Sequence, residues 1–106
     1  MKQGITQQHF SDALGRPDGG HAFGVGFAIA WQRGPLGRDA ERKPPNGAFV
    51  EDVIDAVIGR LEFYQASKFA CSENAEALEA LKAAAAWLDS RTKAREARAV
   101  EGTHEQ

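Results

Sequence analysis

The chain has 106 residues, 42% of them hydrophobic and 26% charged, with a formal net charge of −2. That suits one small soluble domain, is too short for two cores, and argues against a protein that wraps nucleic acid by neutralising many phosphates. A single cysteine, Cys71, excludes an intrachain disulfide, and His9, His21 and His104 show no metal-ligand spacing with it or with one another. No metal and no cofactor is expected. No apolar run approaches the roughly 20 residues of a membrane span. The opening MKQGITQQHF lacks the apolar core of a signal peptide, which predicts a cytoplasmic protein.

Residues 1–22 are polar and end in the turn formers RPDGGH, so they read as an arm with at most one short strand. From Val25 the pattern sharpens. Val25, Phe27, Ile29 and Trp31 alternate with Gly24, Gly26, Ala28, Ala30 and Gln32, which predicts a strand with one packed face. RGPLGRDAERKPPNG follows as a turn-rich basic loop carrying Arg33, Arg38, Arg42 and Lys43, with room for a second short strand. The third segment begins at residue 48 and continues to 106.

Phe49, Val50, Val53, Ile54, Val57, Ile58 and Leu61 recur at three and four residues and predict an amphipathic helix over about 48–66. Its β-branched content means that packing, not propensity, must hold it. Ser67 to Cys71 make a short connection whose Phe69 is expected to cover the hairpin. Ser72 reads as the N-cap of a second helix, with Glu73 and Glu76 in a dipole-favoured first turn. Leu78, Leu81, Ala84, Ala85 and Leu88 form its narrow apolar face. The fold class is therefore α+β: a small N-terminal antiparallel β element followed by a long antiparallel helical hairpin. The first helix has a broader apolar face than one partner can cover, which predicts self-association through the hairpins.

Several motifs fail on inspection. GHAFGVGFAIA offers G-x-G at Gly24 and Gly26, but Ile29 takes the third glycine position and the run leads into a strand, so it is no dinucleotide fingerprint. Glu51, Asp52 and Asp55 fall on the polar side of the first helix and read as solvated surface. No nucleophile, base and orienting group can be assembled, and Cys71 reads equally as a small buried hydrophobe or a nucleophile.

Arg91, Arg95 and Arg98 are different, because they converge on one helical face with Glu96 on about the opposite side. Their planar forks match a phosphate or pyrophosphate, although a basic last turn also offsets the helix macrodipole. Asn74, in the first turn of the second helix, can present donors and acceptors to a base edge or ribose, or can cap the helix. Phe63 and Tyr64 end the first helix nearby; one can supply a π-face for a purine, the other core filling.

The segments NGAFVEDVIDAVIGRLEFYQ, FACSENAEALEALKAAAAWLDSRT and REARAVEGTH resemble the phage anti-Thoeris sponge family, whose helical-hairpin domain is shared with a phage anti-CBASS cyclic-nucleotide sponge. The similarity covers roughly residues 24–104. It implies a non-enzymatic protein that captures an immune signal, a glycocyclic ADP-ribose made by a bacterial TIR-domain protein; some members also hold cyclic oligonucleotides, di- or trinucleotides, at separate sites in a larger assembly. By the resemblance, Asn74, Arg91 and Arg95 match ligand-contacting polar positions, with Arg98 completing the stripe. The adenine-packing aromatic corresponds to Tyr64 or Phe63, and a loop arginine to Arg38 or Arg42. Thr103 and His104 belong to the VEGTH ending, which in the family follows a glycine; here Ala99 stands before it, a departure that shifts that segment if the position needs a left-handed backbone.

The resemblance thus implies a homodimer or higher assembly of dimers acting in the infected host cell. The competing classes are an enzyme that cleaves the same messenger and a small nucleic-acid-binding module.

Overall fold

The computed structural model describes residues 1–98. They form two compact units, Met1–Phe49 and Val50–Arg98. In the first, β1 (Thr6–Ser11), β2 (Pro17–Gly24) and β3 (Phe27–Ala30) make an antiparallel sheet in the order β1-β2-β3. The second holds two helices, α1 (Val50–Gln65) and α2 (Ser72–Ala97), packed as a hairpin. An N-terminal sheet followed by a helical hairpin is the α+β class expected.

The N-terminal arm is a correction. Residues 1–22 contain all of β1 and most of β2, not one short strand. Periodicity could not reveal β1, since TQQHFS has no apolar alternation and every residue of it is exposed. What builds the strand pair is turn chemistry. The Asp12 carboxylate accepts the Leu14 N–H at 2.9 Å and the Arg16 N–H at 3.0 Å, while the Arg16 Nε donates to its other oxygen at 2.8 Å. An aspartate organising the backbone two residues on is a standard turn device. Gly20 then lets the strands close, because a Cβ there would strike the Gln8 carbonyl oxygen.

The Arg16 N–H, with the Arg16 guanidinium and the Leu14 N–H behind it, holds the Asp12 carboxyl below the usual aspartate range. Its folded value lies below its unfolded one, so its stabilising effect is complete above the unfolded value and lost as pH falls through the folded one. In a proton NMR titration the Leu14 and Arg16 amide resonances should therefore move with a midpoint below that of an aspartate in an unstructured peptide. A midpoint at the ordinary value would show that the turn is not held by this carboxylate.

The strand expected from Val25 to Gln32 is shorter. Val25 and Gly26 form the two-residue connection between β2 and β3, with Gly26 at φ +88°. The alternation ran on through the turn, since a period of two does not distinguish a turn residue from a strand residue. Beyond β3, Trp31 forms a parallel bridge with Ala48. The basic loop contains no strand but a single 3-10 turn, Asp39–Glu41. Its ends are tied by Asn46, whose Oδ1 accepts the Arg33 N–H at 2.8 Å and whose Nδ2 donates to the Arg33 carbonyl at 3.1 Å.

α1 falls within two residues of the expected 48–66, and α2 begins within one residue of its expected start. The N-cap differs: Cys71 occupies it, and Ser72 is the first helical residue, donating from Oγ to the Glu73 carboxylate at 3.3 Å. Hydrogen bonds from its own backbone N–H, from Ser72 and from Cys71 lower the Glu73 carboxyl, so this glutamate serves the helix start. Gln65 stitches the connection by donating to the Cys71 carbonyl at 3.1 Å and accepting the Cys71 N–H at 3.0 Å. Phe69 does not cover the hairpin; it is 66% exposed. The connection is closed by hydrogen bonds instead, from Gln65 to Cys71 and from the Phe69 N–H to the Ser67 hydroxyl oxygen at 3.1 Å.

Leu78 is the single buried residue of α2, and Leu81, Ala84, Ala85 and Leu88 around it are half-buried, as the narrow face predicted. On α1 no residue is buried. Val53, Ile54, Ile58 and Leu61 are half-buried, while Val50 and Val57, two turns apart on one face, are 48% and 43% exposed.

Candidate functional site

Helix geometry sets where the polar candidates stand. Arg91 and Arg95 lie one turn apart on α2, Arg91 exposed and Arg95 half-buried, and Arg98 is the C-cap residue, its N–H reaching the Ala94 carbonyl at 3.2 Å. At 1.5 Å per residue the 26-residue α2 outruns the 16-residue α1 by about 15 Å, so the end carrying Arg95 and Arg98 extends past the start of α1. Just short of it, Glu51, Asp55, Ala85, Ala86, Asp89 and Thr92 line a groove of about 470 Å³ between the helices. Asp52 and Asp55 are exposed, as expected of solvated surface, and Glu51 is half-buried; Glu51 and Asp55 line the rim of this open groove, and Asp52 stands apart from it. Asp89 is engaged by Lys93 at 3.0 Å, and that bond raises the Lys93 ammonium above its ordinary value.

The opposite end of the hairpin carries the aromatic candidates. Phe63 is 62% exposed and Tyr64 half-buried, with ring centroids 6.3 Å apart and planes tilted by 56°. Sequence reasoning missed their neighbour Arg60. Its guanidinium carbon lies 5.2 Å from the Phe63 centroid and 5.0 Å from that of Tyr64, a placement its spacing of three and four residues could have disclosed. Asn74 is half-buried beside the connection, with Nδ2 at 3.5 Å from the Phe69 carbonyl. That long bond gives the amide a local structural role and engages only one of its two N–H donors.

One hairpin does not bring these candidates together. From Asn74 to Arg91 is about 25 Å along α2, so the aromatic end and the arginine end are separated by most of the helix. Arg38 and Arg42 belong to the first unit, flanking the 3-10 turn, and each already has an interaction within the protein. Thr103 and His104 lie outside the described residues. Cys71 is exposed, which removes the buried-hydrophobe reading. Among the described residues no three His, Cys, Asp or Glu side chains gather as they would around a metal ion, and no helix is long and apolar enough to cross a membrane.

A family model described as the Acb2/Tad1 hairpin domain matches residues 25–93. The chain belongs to this family. A relative from Bacillus phage SBSphiJ7, named Thoeris anti-defense 1, is 53% identical over 60 residues, which is 57% of this chain and 42% of the relative. The match thus spans less than half the length of that relative. Within this hairpin-domain protein the family match takes in β3, the basic loop with Arg38 and Arg42, all of α1, and α2 as far as Lys93. It covers Phe63, Tyr64, Asn74 and Arg91, while Arg95 and Arg98 follow beyond it.

Proposed function

We propose that this hairpin-domain protein is an anti-Thoeris sponge: it captures a cyclic nucleotide-type immune signal, glycocyclic ADP-ribose, in the cytoplasm of the infected host and holds it unaltered. Family membership, together with the name of the phage relative, supports the anti-defence role. The observation that carries the chemistry is the arginine face of α2, where Arg91 and Arg95 stand one turn apart and can grip a diphosphate in two forks. Asn74 reads a ribose or base edge, and Tyr64 or Phe63 stacks on adenine.

Because Asn74 and Arg91 are about 25 Å apart in one chain, a site that uses both draws them from two copies. Two hairpins related by a two-fold axis place the arginine end of one against the aromatic end of the other and so create two equivalent sites. The exposed Val50 and Val57 give such a pair an apolar contact surface. Capture works stoichiometrically, and enclosure by two copies slows release.

Incubation with glycocyclic ADP-ribose followed by heat denaturation and chromatography should return the same species in full. Linear ADP-ribose growing with time would make the protein an enzyme. Native mass spectrometry of the same mixture, with cyclic di- and trinucleotides added, reports the number of copies and any second ligand together.

A further inference from the structure

We infer that Arg60 closes over the purine of the captured messenger, so that the base inserts between a guanidinium plane above and one ring of the Phe63–Tyr64 pair below. This rests on the capture reading and adds a specificity-determining residue to it. The three side chains occupy positions i, i+3 and i+4 of α1, a patch at the end of the helix in which Arg60 and Phe63 are exposed and Tyr64 is half-buried. The rings are tilted by 56° to one another, and the guanidinium carbon sits over both at 5.2 and 5.0 Å.

No carboxylate holds Arg60 in that position. Glu62, two residues on, meets the Lys82 ammonium of the other helix with its carboxylate at 3.6 Å, and among the described residues Arg60 forms no ion pair. The guanidinium is therefore seated by π-faces alone, over the surface a base would need. A flat heteroaromatic ring can take its place on one ring of the pair and receive the guanidinium on its own upper face, exchanging cation–π contact for stacking on the base. A bare phosphate or a sugar offers no such second face, so the arrangement selects for a ligand that carries a base. Arginine is the suitable residue because its charged group is planar; the ammonium of a lysine carries the charge without the plane.

Titration calorimetry of the full chain with glycocyclic ADP-ribose tests this. Arg60→Ala should weaken binding about five- to thirty-fold, and Arg60→Lys should recover only a minor part of the loss. Arg60 is exposed and alanine favours helix, so both variants should show the parent's circular dichroism and melting temperature. A parent that binds while Arg60→Ala binds equally well overturns the inference and leaves the capture reading standing. Full recovery by Arg60→Lys also overturns it, since charge alone would then suffice. A parent that gives no binding heat overturns the capture reading and this inference with it.

Discussion

Arg91→Ala and Arg95→Ala should each reduce affinity for glycocyclic ADP-ribose by about thirty-fold to several thousand-fold, the equivalent of about 2–5 kcal/mol for leaving an enclosed phosphate charge without its partner. Lysine at either position should rescue partially, because it retains the charge but not the fork. Lys93 is the internal control: it points to Asp89 at 3.0 Å, off the arginine face, and Lys93→Ala should bind as the parent does. Calorimetry in which folded Arg91→Ala and Arg95→Ala variants bind as tightly as the parent would remove the arginine face from the site.

The second large effect is on assembly. Only Ala22, Leu36 and Leu78 are buried among the described hydrophobic residues, while Val50, Val57, Phe63 and Trp87 of the hairpin remain exposed. If two copies pair through α1 as proposed, these exposed side chains supply the apolar area of the contact. Val57→Glu would put a carboxylate on each side of a two-fold contact at a cost of about 3–5 kcal/mol for an unpaired buried charge. The variant should sediment as a monomer, or lose solubility, and should lose the messenger although Arg91 and Asn74 are intact. A well-folded oligomer of unchanged mass would exclude α1 as the contact face.

Complementation isolates the two-copy site itself. Arg91→Ala and Asn74→Ala, each weak alone, should regain binding when mixed and allowed to exchange subunits. A mixed dimer carries both lesions in one site and leaves the other whole, so roughly a quarter of all sites should recover. No recovery despite demonstrated exchange would place both residues' roles within one chain or outside the site.

The helices were legible in the sequence because their signal is local. The three- and four-residue spacing from Val50 to Leu61 and from Leu78 to Leu88 specifies an apolar stripe whatever lies against it. The arginine face was legible for the same reason, since residues four apart on a helix are neighbours by geometry alone. β1 was not, because TQQHFS has no apolar pattern and pairs only after the Asp12 turn returns the chain onto it. The seating of Arg60 over two rings and the groove that takes in Glu51 and Asp55 depend on side-chain conformation and on where α2 packs, which no spacing rule encodes. Above all, the resemblance put Asn74 and Arg91 in one ligand site, and only the unbroken course of α2 from Ser72 to Ala97, which sets them about 25 Å apart along the helix, decided that a single hairpin does not bring them together.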